Sequence, residues 1–190
     1  MAQVPVVDRV FAVGPKTNIG GKSYIRSYRA IEAHFRDIAD FDAEAFIVAA
    51  HVVYGWMPTI LELAAETDKE LEAAASVLNR SRSGSITDND LDMLIRIVNN
   101  SLVGTSKLLH FTSPAHFAIW DSHVYSFVFD REPYHYRMNN IADFRQYHRI
   151  LGQVAGDTRF PRFHKAVNEK VGYGVSPLRA IELIIYNNSR

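Results

Sequence analysis

Apolar residues recur at three- and four-residue steps along most of this chain, and Ser, Thr or Asp stands where many of these runs begin. That combination confines the chain to helices. Ile25, Tyr28, Ile31, Phe35 and Ile38 define an amphipathic helix over 22–39, which Ser23 can cap. Residues 43–54, opened by Asp42 or its neighbour, are apolar on nearly every side, as a central helix would be. Thr67 with Glu70, and Thr87 with Asp90, have the spacing of capping boxes. The first opens a helix over 68–80. The second opens one with Leu91, Leu94, Ile95 and Val98 as its buried stripe, ending near Asn99-Asn100. Pro58 suits the first turn of a short helix over 58–65. Further helices are expected over 141–154 and 160–171, and Ser176-Pro177 opens a last one over 177–187. Strand signals are few. Residues 1–13, with VPVV and VFAV, read as an arm or one short strand. The expected class is all-α, one domain over 1–190, with two helical lobes around a cleft near 100–127 as its variant.

Composition excludes several functions. There is no cysteine, so disulfides, cysteine-held zinc and iron–sulfur clusters are ruled out for this chain. The 21 basic and 21 acidic residues cancel, which removes the broad positive field of a duplex or anionic-membrane binder. An apolar fraction of 47% still suffices for a sizeable core. No run is long and apolar enough to span a bilayer, and Asp8-Arg9 interrupts any signal-peptide pattern. A cytoplasmic protein without membrane contact is the expectation.

Residues 102–127, LVGTSKLLHFTSPAHFAIWDSHVYSF, carry the chemistry. They read as a short helix, a Ser-Pro turn, an extended piece and the start of a second helix at Asp121. An ionisable group set between Ile119-Trp120 and Val124 needs a partner or a task. His110, His116, Asp121 and His123 lie near one another in sequence but match no local metal-ligand signature, so no metal is expected, and His110 reads rather as a satisfied buried or semi-buried histidine beside Phe111. GPKTNIGGKS (14–23) lacks the glycine spacing of a phosphate loop. It reads as a connecting loop, with Lys16, Lys22 and Arg26 as candidates for a local anion-binding patch. Tyr134, Tyr136 and Arg137 mix rings and charge in a loop that can stack on bases. Trp56 is a second candidate aromatic wall. On the residues alone, Asp121 reads as readily as a helix N-cap that pairs with Lys107.

The Val103-Gly104 turn, Lys107 on the helix behind it, and the later Trp120-Asp121-Ser122-His123 segment together resemble the helix-hairpin-helix DNA glycosylase superfamily. The likeness is to its 8-oxoguanine glycosylase-like branch. It covers 100–127 and is compatible with the multi-helix layout elsewhere. The resemblance implies a hydrolase that cleaves the N-glycosidic bond of a modified nucleobase, in nucleic acid or a nucleoside, with no cofactor. It casts Lys107 as the amine that attacks C1′ and Asp121 as the carboxylate that stabilises charge on the sugar. His110, Trp120 and His123, close to these two in sequence, join Trp56, Tyr134, Tyr136 and Arg137 as candidate substrate contacts. A non-catalytic nucleotide- or nucleic-acid-binding module, and a helical protein-interaction domain, are the alternatives.

Overall fold

Side-chain caps set where helices start. Asp42, Thr67, Thr87, Ser101, Asp121, Asn140 and Ser176 each accept a hydrogen bond from a backbone N–H in the first turn that follows. Each satisfies a donor that the helix itself leaves open. The computed structural model describes residues 4–19, 23–57 and 59–189. Among the described residues there are eleven α-helices, one 3-10 turn and no sheet, so the protein is all-α. None of these helices is long and apolar enough to cross a membrane.

The chain divides into two compact units. One is Ser23–Phe117 and the other is formed by the segments on either side of it.

The Ser23–Phe117 unit holds α2 (Ser23–Asp37), α3 (Ala43–Trp56), α4 (Asp68–Ser81), α5 (Asp88–Ile97) and α6 (Leu102–Thr112). The nearly all-apolar α3 packs on α2, α4 and α6, as its composition predicts. The shorter α6 also touches α2, α4 and α5, and buries Leu102, Leu108, Leu109, His110 and Phe111. The Thr87 capping box forms in both directions. At Thr67 the hydroxyl accepts from the Glu70 N–H, and the Glu70 carboxylate also accepts from the Glu66 N–H.

The helix expected over 58–65 is a correction. Residues 59–66 are non-helical, and Leu63 bridges antiparallel to Val98. The Ala64 N–H donates to Ile97 O at 2.9 Å, and the Asn99 N–H to Glu62 O at 3.2 Å. The Asn99 side chain also donates to Ile60 O at 2.8 Å and accepts from the Glu62 N–H. Asn99 sits at φ 54°, a left-handed conformation that asparagine tolerates. Its long-range bonds outcompete a local helix. Pro58 lies outside the described residues.

The flanking unit holds α1 (Val6–Val13), a 3-10 turn (Gly14–Lys16), α7 (Ser122–Phe129), α8 (His135–Met138), α9 (Ile141–Ala155), α10 (Phe160–Val171) and α11 (Pro177–Tyr186). The expected N-terminal strand is a second correction, since Val6–Val13 is helical. Of the Asp8-Arg9 pair that splits the apolar run in the sequence, Asp8 is exposed and Arg9 half-buried, while Val10 is fully buried. Among the described residues no strand supplies a ladder. Burial against α9 and α11 decides for the helix. The polar-aromatic loop expected over 130–140 contains one helical turn, α8. The Lys170 ammonium closes the end of the 3-10 turn by donating to Gly14 O, Pro15 O and Thr17 O at 2.8–2.9 Å. Carbonyls at a helix end carry partial negative charge, which suits an ammonium.

Candidate functional site

The α5–α6 connection is a tight hairpin of four residues, Val98 to Ser101. Asn99 and Asn100 turn the chain, both with positive φ. Ser101 then caps α6, its Oγ accepting from the Gly104 N–H at 3.1 Å. Tyr54 of α3 underpins the turn. Its hydroxyl donates to Val98 O at 3.4 Å and is hydrogen-bonded by the Ser101 side chain. Burial pushes the Tyr54 pKa up, against that hydrogen bond. The ring comes so close to α6 that position 104 has no room for a side chain.

Lys107 stands on α6, one turn beyond Val103. It is half-buried, with its Nζ 5.9 Å from the centre of the Trp56 ring. That distance is at the outer edge of a cation–π contact. Trp56 is fixed in turn: its Nε1 donates to Ser27 Oγ at 3.1 Å, and its ring meets Phe111 edge-on at 5.4 Å. Trp56 and Lys107 therefore share one face of the Ser23–Phe117 unit. Lys107 belongs to that unit and Asp121 to the flanking one.

His110 is a core residue. It has no exposed surface, its Nδ1–H donates to Phe117 O at 2.7 Å, and its Nε2 accepts from the Tyr28 hydroxyl at 2.8 Å. A carbonyl partner requires Nδ1 to carry the proton, which leaves Nε2 as the acceptor. Trp120, likewise fully buried, donates from Nε1 to Met138 O at 2.9 Å and packs among Tyr125, Phe129, Phe144 and Tyr147. The expectation that His110 and Trp120 contact substrate is corrected on this ground: neither ring presents a surface. Trp and His in strongly apolar sequence are ambiguous between wall and core, and here packing takes both.

Asp121 is the N-cap of α7, its Oδ1 accepting from the Val124 N–H at 2.9 Å. It also belongs to an electrostatic cluster that sequence reasoning missed. Arg179 and Glu182, one turn apart on α11, form an ion pair that is almost fully buried. Tyr147 lies beside them and donates to Ile119 O at 3.2 Å. Burial pushes the Tyr147 phenol well up, the charges of Glu182 and Asp121 add to this, and Arg179 opposes it. An Arg and a Glu at i, i+3 inside PLRAIELIIY were the available signal.

His148, on the same helix as Tyr147, packs edge-on 4.5 Å from Phe144, and its Nε2 accepts from the Ala118 N–H at 3.5 Å. Burial, with the Arg145 charge adding, pushes its pKa down to about 4. Between about pH 6.5 and 4 the unfolded chain binds a proton that the folded one excludes. Stability is therefore expected to be intact above that window and to fall as the pH drops through it. Urea midpoints from pH 7 to pH 4 should decline more steeply for the wild type than for His148→Gln. Parallel declines would contradict a neutral imidazole.

Tyr134 and Tyr136 are 55% and 68% exposed and stack at 6.0 Å with their planes 16° apart. Arg137 lies over both rings, at 5.1 and 5.4 Å, and its Nη1 donates to Glu132 O at 2.9 Å. His123 is exposed, bonded through Nδ1 to Ser189 Oγ at 2.6 Å and packed on Tyr186. Of the proposed anion-binding residues, Lys16 and Arg26 are exposed and fall in different units, while Lys22 lies outside the described residues. A recess of about 770 Å³ opens in the flanking unit among residues of α1, α7, the 130–133 loop and the end of α11. No local pattern announces it, because Arg9 and Ser189 lie 180 residues apart. Among the described residues no three His, Asp or Glu side chains converge as metal ligands would.

Comparison with protein-family models, curated proteins and solved structures finds no match for this chain.

Proposed function

We propose that this chain is a glycosylase-like protein that acts on a modified nucleobase, in nucleic acid or in a nucleoside, with Lys107 as its reactive amine. One observation carries this reading: the α5–Asn99–Asn100–α6 hairpin with Lys107 on the helix that follows it. The resemblance expects the turn at Val103-Gly104; those residues instead form the first turn of α6, and the chain turns at Asn99-Asn100 just before it, with Lys107 still on the helix after the turn. Trp56 adds an aromatic surface beside the amine, and a base taken out of its stack needs such a surface.

In the proposed reaction a neutral Nζ attacks C1′ of the sugar. The C1′–N bond breaks with its electron pair leaving on the base, which takes a proton from water. The amine's proton passes to O4′ as the ring opens, leaving an iminium between Lys107 and the sugar. Water then hydrolyses it.

Asp121 is assigned separately. Its cap is visible in the structure, and its implied role in stabilising the sugar cation is tested by Asp121→Asn. Asparagine keeps the cap and removes the charge.

The test is base release from oligonucleotides and nucleosides carrying a panel of oxidised, alkylated and deaminated bases. The wild type is expected to release at least one base, and Lys107→Ala to lose at least about a hundredfold in rate, the order typical of a covalent or proton-transfer group. A charge role for Asp121 predicts a comparable loss in Asp121→Asn with an unchanged urea midpoint. Turnover that is indifferent to Lys107 would remove the amine from the mechanism.

A second reading, binding without turnover, is favoured by the exposed Tyr134–Tyr136–Arg137 stack. It predicts base or strand binding and no release from any substrate.

A further inference from the structure

We propose that the flanking unit contains a separate binding site for a nucleoside 5′-monophosphate, formed by the recess beside α7 and the tyrosine stack next to it. The site lies wholly within one unit and does not depend on the chemistry assigned to Lys107.

Three chemical zones meet there. The first is a wall of hydrogen-bond donors. Ser122, His123 and Ser126 line it from α7, and Arg9 from α1. Arg9 is pinned: its Nη2 donates to Val128 O at 3.2 Å, and its guanidinium lies 5.0 Å from the centre of the Phe127 ring. Its Nε is buried with no hydrogen-bond partner. A fixed guanidinium with hydroxyls around it is the donor set that suits a phosphate.

The second zone is acceptor-rich. Asp130 and Glu132 border the recess, and Asp130 is held at φ 52° as the left-handed residue that ends α7. Carboxylates pair well with sugar hydroxyls, which are donors. The third zone is aromatic. Arg137 joins it to the recess, because the guanidinium that lies over Tyr134 and Tyr136 also holds the carbonyl of Glu132. The tyrosines are thereby tied to the segment that borders the recess, and they remain 55% and 68% exposed. Any base can stack on such a surface.

Donor wall, acceptor rim and aromatic platform match phosphate, ribose and base. The volume of about 770 Å³ falls in the range of small-molecule sites. The ligand reaches this chemistry either as a free mononucleotide or as the unpaired 5′-phosphorylated end of a strand.

Calorimetric titration of the intact chain with the four common nucleoside monophosphates, their nucleosides and inorganic phosphate tests the site. At least one monophosphate is expected to bind saturably, with its nucleoside and phosphate each weaker by at least about tenfold. Tyr136→Ala, at a residue 68% exposed, should weaken binding by at least about fivefold. Arg9→Met should weaken it by about tenfold or more. Ser126→Asp, which sets a negative charge in the donor wall, provides the same test should Arg9→Met fold poorly. Lys107→Ala should bind as the wild type does, so loss of base release and loss of this site are separable. Competition by a 5′-phosphorylated pentanucleotide would identify a strand end, and its absence a free nucleotide. Either fits the proposal when the variants weaken binding. No saturable binding by any of the four, or binding unaffected by Tyr136→Ala and Ser126→Asp, would overturn it.

Discussion

Glu182→Ala is expected to cost the fold about 3–5 kcal/mol, a large share of what holds a domain of this size together. The Arg179 and Glu182 side chains are 3% and 2% exposed, and each is the other's counter-charge. Deleting the carboxylate removes that counter-charge from a guanidinium on a helix whose residues 179–185 are all buried. Removing one partner of a buried pair is far more costly than the intact pair is worth, because desolvation consumes most of the attraction between partners. The double variant Arg179→Met/Glu182→Leu should therefore unfold near the wild-type urea midpoint. A Glu182→Ala midpoint equivalent to less than about 1 kcal/mol of loss would show that the pair is solvated.

Gly104→Ala sets two effects of opposite sign against each other. Position 104 is helical, so alanine should gain about 1 kcal/mol from propensity. Against this, a Cβ there would lie 2.7 Å from Tyr54 Cζ and closer still to its hydroxyl oxygen. Tyr54 is 2% exposed and hydrogen-bonded to Val98 O and Ser101, so its ring cannot swing aside. Overpacking of this kind costs about 1–3 kcal/mol, and it wins because the obstacle is a fixed ring rather than the end of a flexible chain. The variant is expected to be destabilised and its hairpin displaced. The cost should shrink in a Tyr54→Leu background. An equal cost in both backgrounds would place the strain elsewhere.

The sequence carried the local part of the fold. Caps and apolar spacing are short-range signals. Thr87 with Asp90 formed its box as expected, and Phe160–Val171 is a helix over the expected residues. Two failures had long-range causes. The extended course of 59–66 is fixed by Asn99, more than thirty residues away. The helical fate of Val6–Val13 is fixed by α9 and α11, at the far end of the chain. The candidate site shows the same split. Asp121 as a cap was legible, because the group it accepts from lies three residues on. The burial of His110 was legible in part, since one partner, Phe117, is near in sequence, while that of Trp120 was not, since its partner is Met138. The Arg179–Glu182 pair was within reach, because charges one turn apart in an apolar helix must answer each other.

Lys107 as the attacking amine is tested most directly by trapping. The protein is incubated with the modified-base panel in borohydride, which reduces an iminium to a stable amine, and the adduct is mapped by peptide mass spectrometry. The predicted result is a sugar adduct on the peptide bearing Lys107, absent from Lys107→Ala. An adduct on another lysine, or base release with no adduct at all, would contradict it.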